Sequence, residues 1–426
     1  MKHDIIVVGA GASGVIAALT AKDYGADVAL IESNDRIGKK LLTTGNGRCN
    51  ISNTLIEDFL SSKSQVSCPY HSSSENFYLP CLNNFTVQDT KDFFYSLGLP
   101  FTTMDNGKMY PLSLQASSVL DILRFAIEDR KIPIYNNTKV VNIDHKGSLF
   151  KITTSSEGRQ DYYSCNKIVL CTGGKSASNT GSDGSGYTLA KSLGHSIVTP
   201  LPALVQLKLD YKGLKAMSGV KFEGAVKILV ENKSLMEEKG EILFTDYGIS
   251  GPPILQLSRI ASVNLNKKKK VTLEVNILPE YSEETLINLI ETHKALFPYR
   301  SISESFIGIV NKKLIIPILK EAGVTDLHKT IDSITWEEQD NIIGLLKGWE
   351  FHVSDTNGFR NAQVTCGGVN TNEINADTLE SKLCPNLYLA GEVLDVDGDC
   401  GGFNLQWAWS SGYAAGKYAA TKYKTN

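Results

Sequence analysis

The chain opens on an apolar run, Ile5-Ile6-Val7-Val8, with Asp4 before it and Gly9-Ala10-Gly11-Ala12-Ser13-Gly14 after it. Continuous apolar residues between a polar start and a glycine cluster predict a buried strand. Small and apolar positions from Val15 to Tyr24, stopped by Gly25, predict a helix. Asp27 to Ile31 predicts a second strand, ending at Glu32. Thr86-Val87-Gln88-Asp89 has the form of a capping box and predicts a helix to about Leu97, with Gly98 as its stop. Lys108-Met109-Tyr110-Pro111 leads into a further helix near Gln115 to Asp129. Alternation over residues 138–164 predicts three short antiparallel strands with turns at Lys146-Gly147 and Glu157-Gly158. Lys167 to Cys171 then predicts a buried strand that ends in Thr172-Gly173-Gly174. Residues 58–76, rich in Ser, Lys and Asn, read as an exposed loop.

From about Gly194 the texture changes. Residues 195–364 mix β segments (Val205 to Leu209, Val226 to Val230, Val271 to Asn276) with helical ones (Glu283 to Phe297, Ser303 to Ala322). The C-terminal segment returns to the opening style. Leu387-Tyr388-Leu389-Ala390 predicts a buried strand that meets Gly391-Glu392, and Gly401-Gly402-Phe403-Asn404 opens a helix running to about Thr421.

Over 426 residues the hydrophobic share is 42% and the charged share 21%, which excludes a largely disordered chain. The net charge of −3 argues against a broad basic face, so no nucleic-acid partner is expected. Lys267 to Lys270 reads as a solvated turn between two strands. None of the eight cysteines forms a Cys-x-x-Cys pair, which removes support for a zinc ribbon or a dithiol redox motif. The apolar stretch Ile5 to Ala21 imitates a signal peptide or short span, but its glycine spacing reads otherwise. The expectation is a cytoplasmic protein with reduced thiols and no membrane association. The histidines are scattered, so no metal site is expected. Asp395-Val396-Asp397-Gly398-Asp399 fails as a calcium loop, because the positions that need Gly and Glu hold Cys400 and Gln406. No Gly-x-Ser-x-Gly elbow occurs, and nothing in the pattern specifies an oligomeric state.

The opening segment carries the chemistry. Gly9, Gly11 and Gly14 have the spacing of a dinucleotide fingerprint between a strand and a helix. The first makes the tight turn, the second leaves room for a pyrophosphate, and the third lets helix and strand pack closely. Ala12 and Ser13 lie at the helix start, whose unpaired N–H groups suit phosphate. Glu32, 21 residues after Gly11, is placed to accept hydrogen bonds from a ribose diol. The fingerprint does not separate FAD from NAD. The polar loop that follows, Gly38-Lys39-Lys40 and then Gly45-Asn46-Gly47-Arg48-Cys49-Asn50, suits a cofactor extending beyond the first pyrophosphate.

On these two stretches the chain resembles the HI0933-like group of bacterial flavoproteins, typified by aminoacetone oxidase and the bile-acid reductase BaiN. The resemblance implies that the loop of Gly38, Lys39, Lys40, Gly45, Asn46, Gly47 and Arg48 runs along the FAD pyrophosphate toward the flavin. It implies that Thr172, Gly173 and Gly174 lie by the adenosine and that the backbone near Val140 meets the adenine. Phe244 to Pro252 matches a further signature, expected to close over the cofactor from an inserted domain. Gly391-Glu392 and Gly401-Gly402-Phe403-Asn404 match as well. Glu392 is implied as an acceptor for ribityl hydroxyls, and the acids from Asp395 to Asp399 as orienting turns and ribityl contacts. The helix that Asn404 opens would offer N–H groups to the flavin N1 and O2 as they become negative. Cys49 and Cys366 are read as buried, inert thiols. The segment 54–85 has no counterpart in this pattern, and Thr44-Gly45-Asn46-Gly47 departs from the commoner Ser-Gly-Gly-Gly form.

The implied fold is α/β: a Rossmann-like FAD-binding domain with a β-meander, interrupted by a mixed α+β domain. Residues 1–194 and 365–426 would form the FAD-binding domain, and 195–364 the inserted substrate or cap domain. No second GxGxxG is present, so NAD(P)H has no separate domain. The favoured reading is reduction of an activated C=C bond in a small-molecule substrate by reduced flavin, with NAD(P)H as a transient electron donor. The resemblance also admits an amine oxidase using O₂. Readings of another class are an FAD-containing RNA-modifying enzyme and a non-catalytic flavin binder.

Overall fold

The structure is a computed structural model describing residues 1–61, 67–147, 149–156 and 158–421. The chain divides into two units, Met1–Leu201 with Gln363–Asn426 and Pro202–Ala362. Ile197–Ala203 and Val364–Val369 form a two-stranded sheet where the chain leaves and re-enters the first unit. That pairing keeps residues 195–201 with the first unit.

In the first unit the strands are β1 (Lys2–Val8), β2 (Val28–Ile31), β3 (Ile134–Tyr135), β4 (Lys139–Lys146), β5 (Leu149–Ser156), β6 (Arg159–Leu170) and β7 (Leu387–Leu389). They form one seven-stranded sheet in the order β3-β2-β1-β6-β5-β4, with β7 also on β6. β1 lies parallel between β2 and β6, with Val8 opposite both Ile31 and Leu170. The strand β6 has two partners on one side. Arg159 to Cys165 pair antiparallel with β5, and Ile168 to Leu170 pair parallel with β7.

Two strands predicted from the sequence are therefore one. The burial pattern changes along β6 from fully exposed over Arg159 to Tyr162 to continuous over Ile168 to Leu170, although the backbone stays extended. Of the two predicted meander turns, Glu157 lies outside the described residues.

Helix α1 (Ala12–Asp23) is buried from Ser13 to Ala21, which explains why its apolar positions have no single face. It packs against α2 (Phe403–Ala420), the long C-terminal helix. Small residues permit the approach. A Cβ on Gly412 would collide with the carbonyl of Ser13, and one on Gly416 with that of Ala17. No helix among the described residues is long and apolar enough to cross a membrane.

The predicted exposed loop at 58–76 is corrected. Residues 62–66 lie outside the described part, Leu55–Leu60 is helical, and Tyr70–His71 pairs antiparallel with Asp397–Gly398. Tyr70 is buried and its hydroxyl donates to the Phe403 carbonyl at 3.0 Å. An aromatic ring inside a polar run outweighs the composition of the run.

The second unit is a closed barrel of six antiparallel strands. Going round it the order is Leu207–Leu209, Gly248–Ser250, Lys233–Phe244, Lys221–Val230, Val271–Asn276 and Trp349–Thr356. Trp349 and Phe351 (ring centroids 4.9 Å apart) and Phe244 lie in its core. The helix predicted from Ser303 to Ala322 is two, Ile302–Ser305 and Lys312–Glu321, broken where Gly308 turns left-handed and Asn311 caps the second by accepting from the Lys313 N–H. Lys267 to Lys270 follows the helix Pro252–Asn266 rather than a strand, and is exposed. Within Phe244 to Pro252, Thr245 and Gly248 close a hairpin turn and Gly251 precedes that helix.

Candidate functional site

The three fingerprint glycines occupy three physically different positions. Gly9 turns the chain at φ +96°, and a Cβ there would stand 2.5 Å from the Cys171 carbonyl oxygen. A Cβ on Gly14 would overlap the Gly9 carbonyl. Gly11 alone has nothing within 4 Å of that position. It faces open space at the N-terminus of α1, which has no side-chain cap. The N–H groups of the first helical turn have no intrahelical acceptor. A ligand phosphate can approach bare backbone there. Ser13 turns inward, its hydroxyl donating to the Ala390 carbonyl at 3.4 Å and standing where a Cβ of Gly391 would fall.

A groove runs from this turn across the ends of β1, β2 and β6. Gly9, Gly11, Glu32, Gly38, Lys39, Lys40, Val140 and Thr172 line it, together with Asn34 and Ser182. Val140 lies beside a register shift in β4, a bulge that re-aims the strand at the groove. Glu32 is buried. Its Oε2 accepts the Ala10 N–H at 2.8 Å, and its Oε1 accepts both the backbone N–H and the side-chain amide of Asn34 at 2.8 Å. Thr172 Oγ1 is buried without a hydrogen-bond partner. A groove lined by a buried carboxylate, two lysines and an open glycine at a helix N-terminus fits a polar adenosine-diphosphate moiety.

Lys40 leads from this groove to the other predicted residues. Its Nζ meets Glu392 Oε2 at 2.6 Å, and Glu392 Oε1 accepts the Thr365 N–H at 2.8 Å. Thr365 Oγ1 in turn accepts the N–H groups of Lys175 and Ser176 at 2.8 and 3.0 Å. Gly174 is required here because a Cβ would run into Thr365, while one on Gly173 would stand 2.7 Å from Ser182 Oγ. Lys39 pairs with Asp35 at 2.7 Å, and that hydrogen bond holds the Asp35 carboxyl below its ordinary value.

The remaining residues gather at the start of α2. Gly401 and Gly402 adopt φ +142° and +102°. Asn53 Nδ2 donates to the Gly401 carbonyl at 2.8 Å, and a Cβ on Gly402 would press on the Ser52 carbonyl and the Asn50 Oδ1. Gly45, Asn46 and Gly47 are all left-handed, at φ +57°, +55° and +81°. Arg48 follows, its guanidinium 5.2 Å from the centre of the Tyr110 ring. Burial pushes the Cys49 thiol up to about 12, which disfavours its thiolate.

Asn404 corrects its expected part as the opener of the helix. Gly402 is the cap residue, Phe403 begins the helix, and the Asn404 amide grips the preceding turn. It accepts the Gly398 N–H at 2.8 Å and donates to the Gly398 and Asp399 carbonyls at 2.7 and 3.2 Å.

Sequence reasoning missed Thr365, Asn34 and Ser182. No spacing marks them. Thr365 is brought in by the return of Val364–Val369 and Ser182 by the loop after β6, while Asn34 turns back onto Glu32 in the loop after β2.

The family model described as HI0933-like protein Rossmann domain matches residues 3–418. A 3-dehydro-bile acid delta(4,6)-reductase of Clostridium scindens is 39% identical over 420 residues, 98% of either chain. A ribosomal RNA dihydrouridine synthase of Escherichia coli is 29% identical over 418 residues, 97% of either chain. A solved 3-ketosteroid-delta4-(5alpha)-dehydrogenase of Rhodococcus jostii overlays with a TM-score of 0.48 at 15% identity, covering 99% of this chain and 97% of that one.

Proposed function

This chain belongs to the HI0933-like protein family and is an FAD-dependent oxidoreductase, and on that premise we propose that it reduces a C=C bond conjugated to a carbonyl in a small organic substrate, with NAD(P)H as electron source. The choice of reaction rests on one observation, the 39% identity along 98% of both chains to a delta(4,6)-reductase.

Bound FAD would supply the two-electron chemistry. The residues of this chain would hold it. Glu32 would accept from ribose hydroxyls with oxygens already fixed by Ala10 and Asn34. Gly11 and the first turn of α1 would take the diphosphate. Glu392, fixed by Lys40 and the Thr365 N–H, would face the ribityl chain. Gly38, Gly45 to Arg48 and Gly401 to Phe403 would line the path to the ring, where the N-terminus of an 18-residue helix favours negative charge. Val140 and Thr172 would border the adenosine.

Anaerobic mixing of the yellow protein with NADH, NADPH and simple amines, each separately, tests the direction of electron flow. Bleaching by a nicotinamide, followed by reoxidation with a conjugated dienone, is the expected result. Bleaching by amines alone would replace the reductase reading with an oxidase.

The dihydrouridine synthase relative favours a second reading, since that reaction also saturates a C=C bond next to a carbonyl. An exposed run of four lysines, Lys267 to Lys270, is the feature of this chain an RNA backbone would use. The net charge of −3 opposes it. Filter binding of ribosomal RNA across a salt titration separates the two, since phosphate contacts give a steep salt slope.

A further inference from the structure

We propose that Arg48 is the oxyanion-binding residue of this site, taking the negative charge that builds on a conjugated carbonyl oxygen as hydride is transferred. The proposal rests on the flavin reading above.

Arg48 is half-buried, and among the described residues no carboxylate lies within ion-pair distance of it. Arg130, by contrast, is paired to Asp23 at 2.7 Å. The contacts of Arg48 are neutral. Its Nε donates to the Gly45 carbonyl at 3.4 Å, and its guanidinium lies on the buried Tyr110 ring. An aromatic face holds a cation in place but replaces a counter-charge only weakly. A guanidinium drawn partly out of water, with its planar N–H fork unspent, suits a delocalised oxygen acceptor.

The backbone is bent to present this side chain. Three consecutive left-handed residues, Gly45, Asn46 and Gly47, precede it, a conformation that glycine adopts at little cost and asparagine tolerates. Residues 50–53 then run along Gly401 and Gly402, which brings the Arg48 loop to the N-terminus of α2.

The start of α2 lies against the same loop. Asn50 is only 9% exposed, and its Oδ1, beside Gly402, has no hydrogen-bond partner. The unpaired N–H groups at that helix start, which has no side-chain cap, favour negative charge as the guanidinium does.

The chemistry balances as follows. Hydride supplied by two-electron-reduced FAD, which would be left oxidised for NAD(P)H to reduce again, would add at the β-carbon, breaking the C=C π bond and moving its electron pair onto the carbonyl oxygen. The resulting enolate is the anion that Arg48 would offset, and a proton from water at the α-carbon completes the saturated ketone. The pyrimidine carbonyl of the reduced flavin presents the same delocalised oxygen, and the experiment separates the two sources.

The FAD-loaded protein and its Arg48→Gln and Arg48→Lys variants are titrated with 4-chlorophenolate, an unreactive enolate mimic, and their midpoint potentials are measured. A loss of tenfold to a hundredfold in phenolate affinity for Arg48→Gln, partly restored in Arg48→Lys, with the potential unchanged, assigns the substrate oxygen. A fall in potential equivalent to tenfold in the equilibrium constant, ~30 mV for two electrons, with phenolate affinity kept, assigns the flavin oxygen. Affinity within twofold of wild type together with an unchanged potential overturns the proposal. Should Arg48→Gln fail to fold, Tyr110→Leu, which removes the platform and keeps the charge, is read by the same two measurements. A wild-type protein without FAD would instead sink the cofactor reading.

Discussion

The Ala10 N–H donates to Glu32 Oε2 at 2.8 Å, so the acid at the end of the second strand holds the glycine turn at the end of the first. The carboxylate thus shapes the phosphate turn as well as facing the groove. This hydrogen bond ties together the two strand ends that border the groove.

Glu32→Ala is therefore expected to act twice. Losing a charge-assisted acceptor of ribose hydroxyls, worth roughly 1.5–3 kcal/mol, should weaken FAD binding by about tenfold to a hundredfold. The apo-protein should also melt earlier, because the Ala10 and Asn34 N–H groups lose their acceptor. FAD titration and thermal unfolding of the apo-protein measure the two effects. An unchanged apo melting point would show that the turn stands without Glu32.

Two glycines in helices should respond with opposite sign. Gly416→Ala places a methyl against the Ala17 carbonyl at the α1–α2 contact, and overpacking of this kind costs about 1–3 kcal/mol. Gly344 lies exposed in the helix Trp336–Gly348 with nothing within 4 Å of its would-be Cβ. Gly344→Ala should stabilise by roughly 0.5–1 kcal/mol. Denaturant unfolding of both variants decides it, and a destabilised Gly344→Ala would contradict the open surroundings.

Asn404→Asp should loosen the turn at Gly398 and Asp399. The replacement oxygen faces two carbonyls that now accept from Nδ2, and buried polar groups left without partners cost about 1–3 kcal/mol each. Faster amide exchange over residues 397–404 is the expected signature. With FAD bound, the added charge at the helix start should also lower the flavin potential by tens of millivolts, roughly 30 mV per ~1.4 kcal/mol. Normal exchange together with a normal potential would remove both roles.

Stability should fall in mild alkali. Burial raises the thiols of Cys49, Cys165 and Cys171 from 9.0 to about 12. Between these values the unfolded chain releases protons that the folded one keeps, so the unfolding free energy declines as pH rises. Each thiol contributes up to about 1.4 kcal/mol per pH unit in that window. Cys49→Ala should flatten the slope above pH 9.0 and leave it unchanged below. A parallel shift with no change of slope would place the alkaline loss elsewhere.

The opening β1, α1 and β2 were legible in the sequence because each is specified locally. An apolar run makes a strand buried on both faces, a glycine turn has few conformations, and an acid at a strand end has one groove to face. The capping box at Thr86 and Asp89 was legible for the same reason, since both of its hydrogen bonds lie within four residues. Tertiary structure decided what depends on partners far along the chain. Whether 159–170 is one strand or two depends on β5 and β7 arriving beside it. Tyr70 is buried because Asp397–Gly398 comes back to pair with its strand, 326 residues after it. Lys40 and Glu392, 352 residues apart, become one ion pair because β7 inserts next to β6. The amide of Asn404 is committed to Gly398 by the path of one turn, which no pattern of residue types encodes. Local sequence sets backbone preferences over a few residues, and the choice among side-chain partners is made only when the sheet and helices have packed.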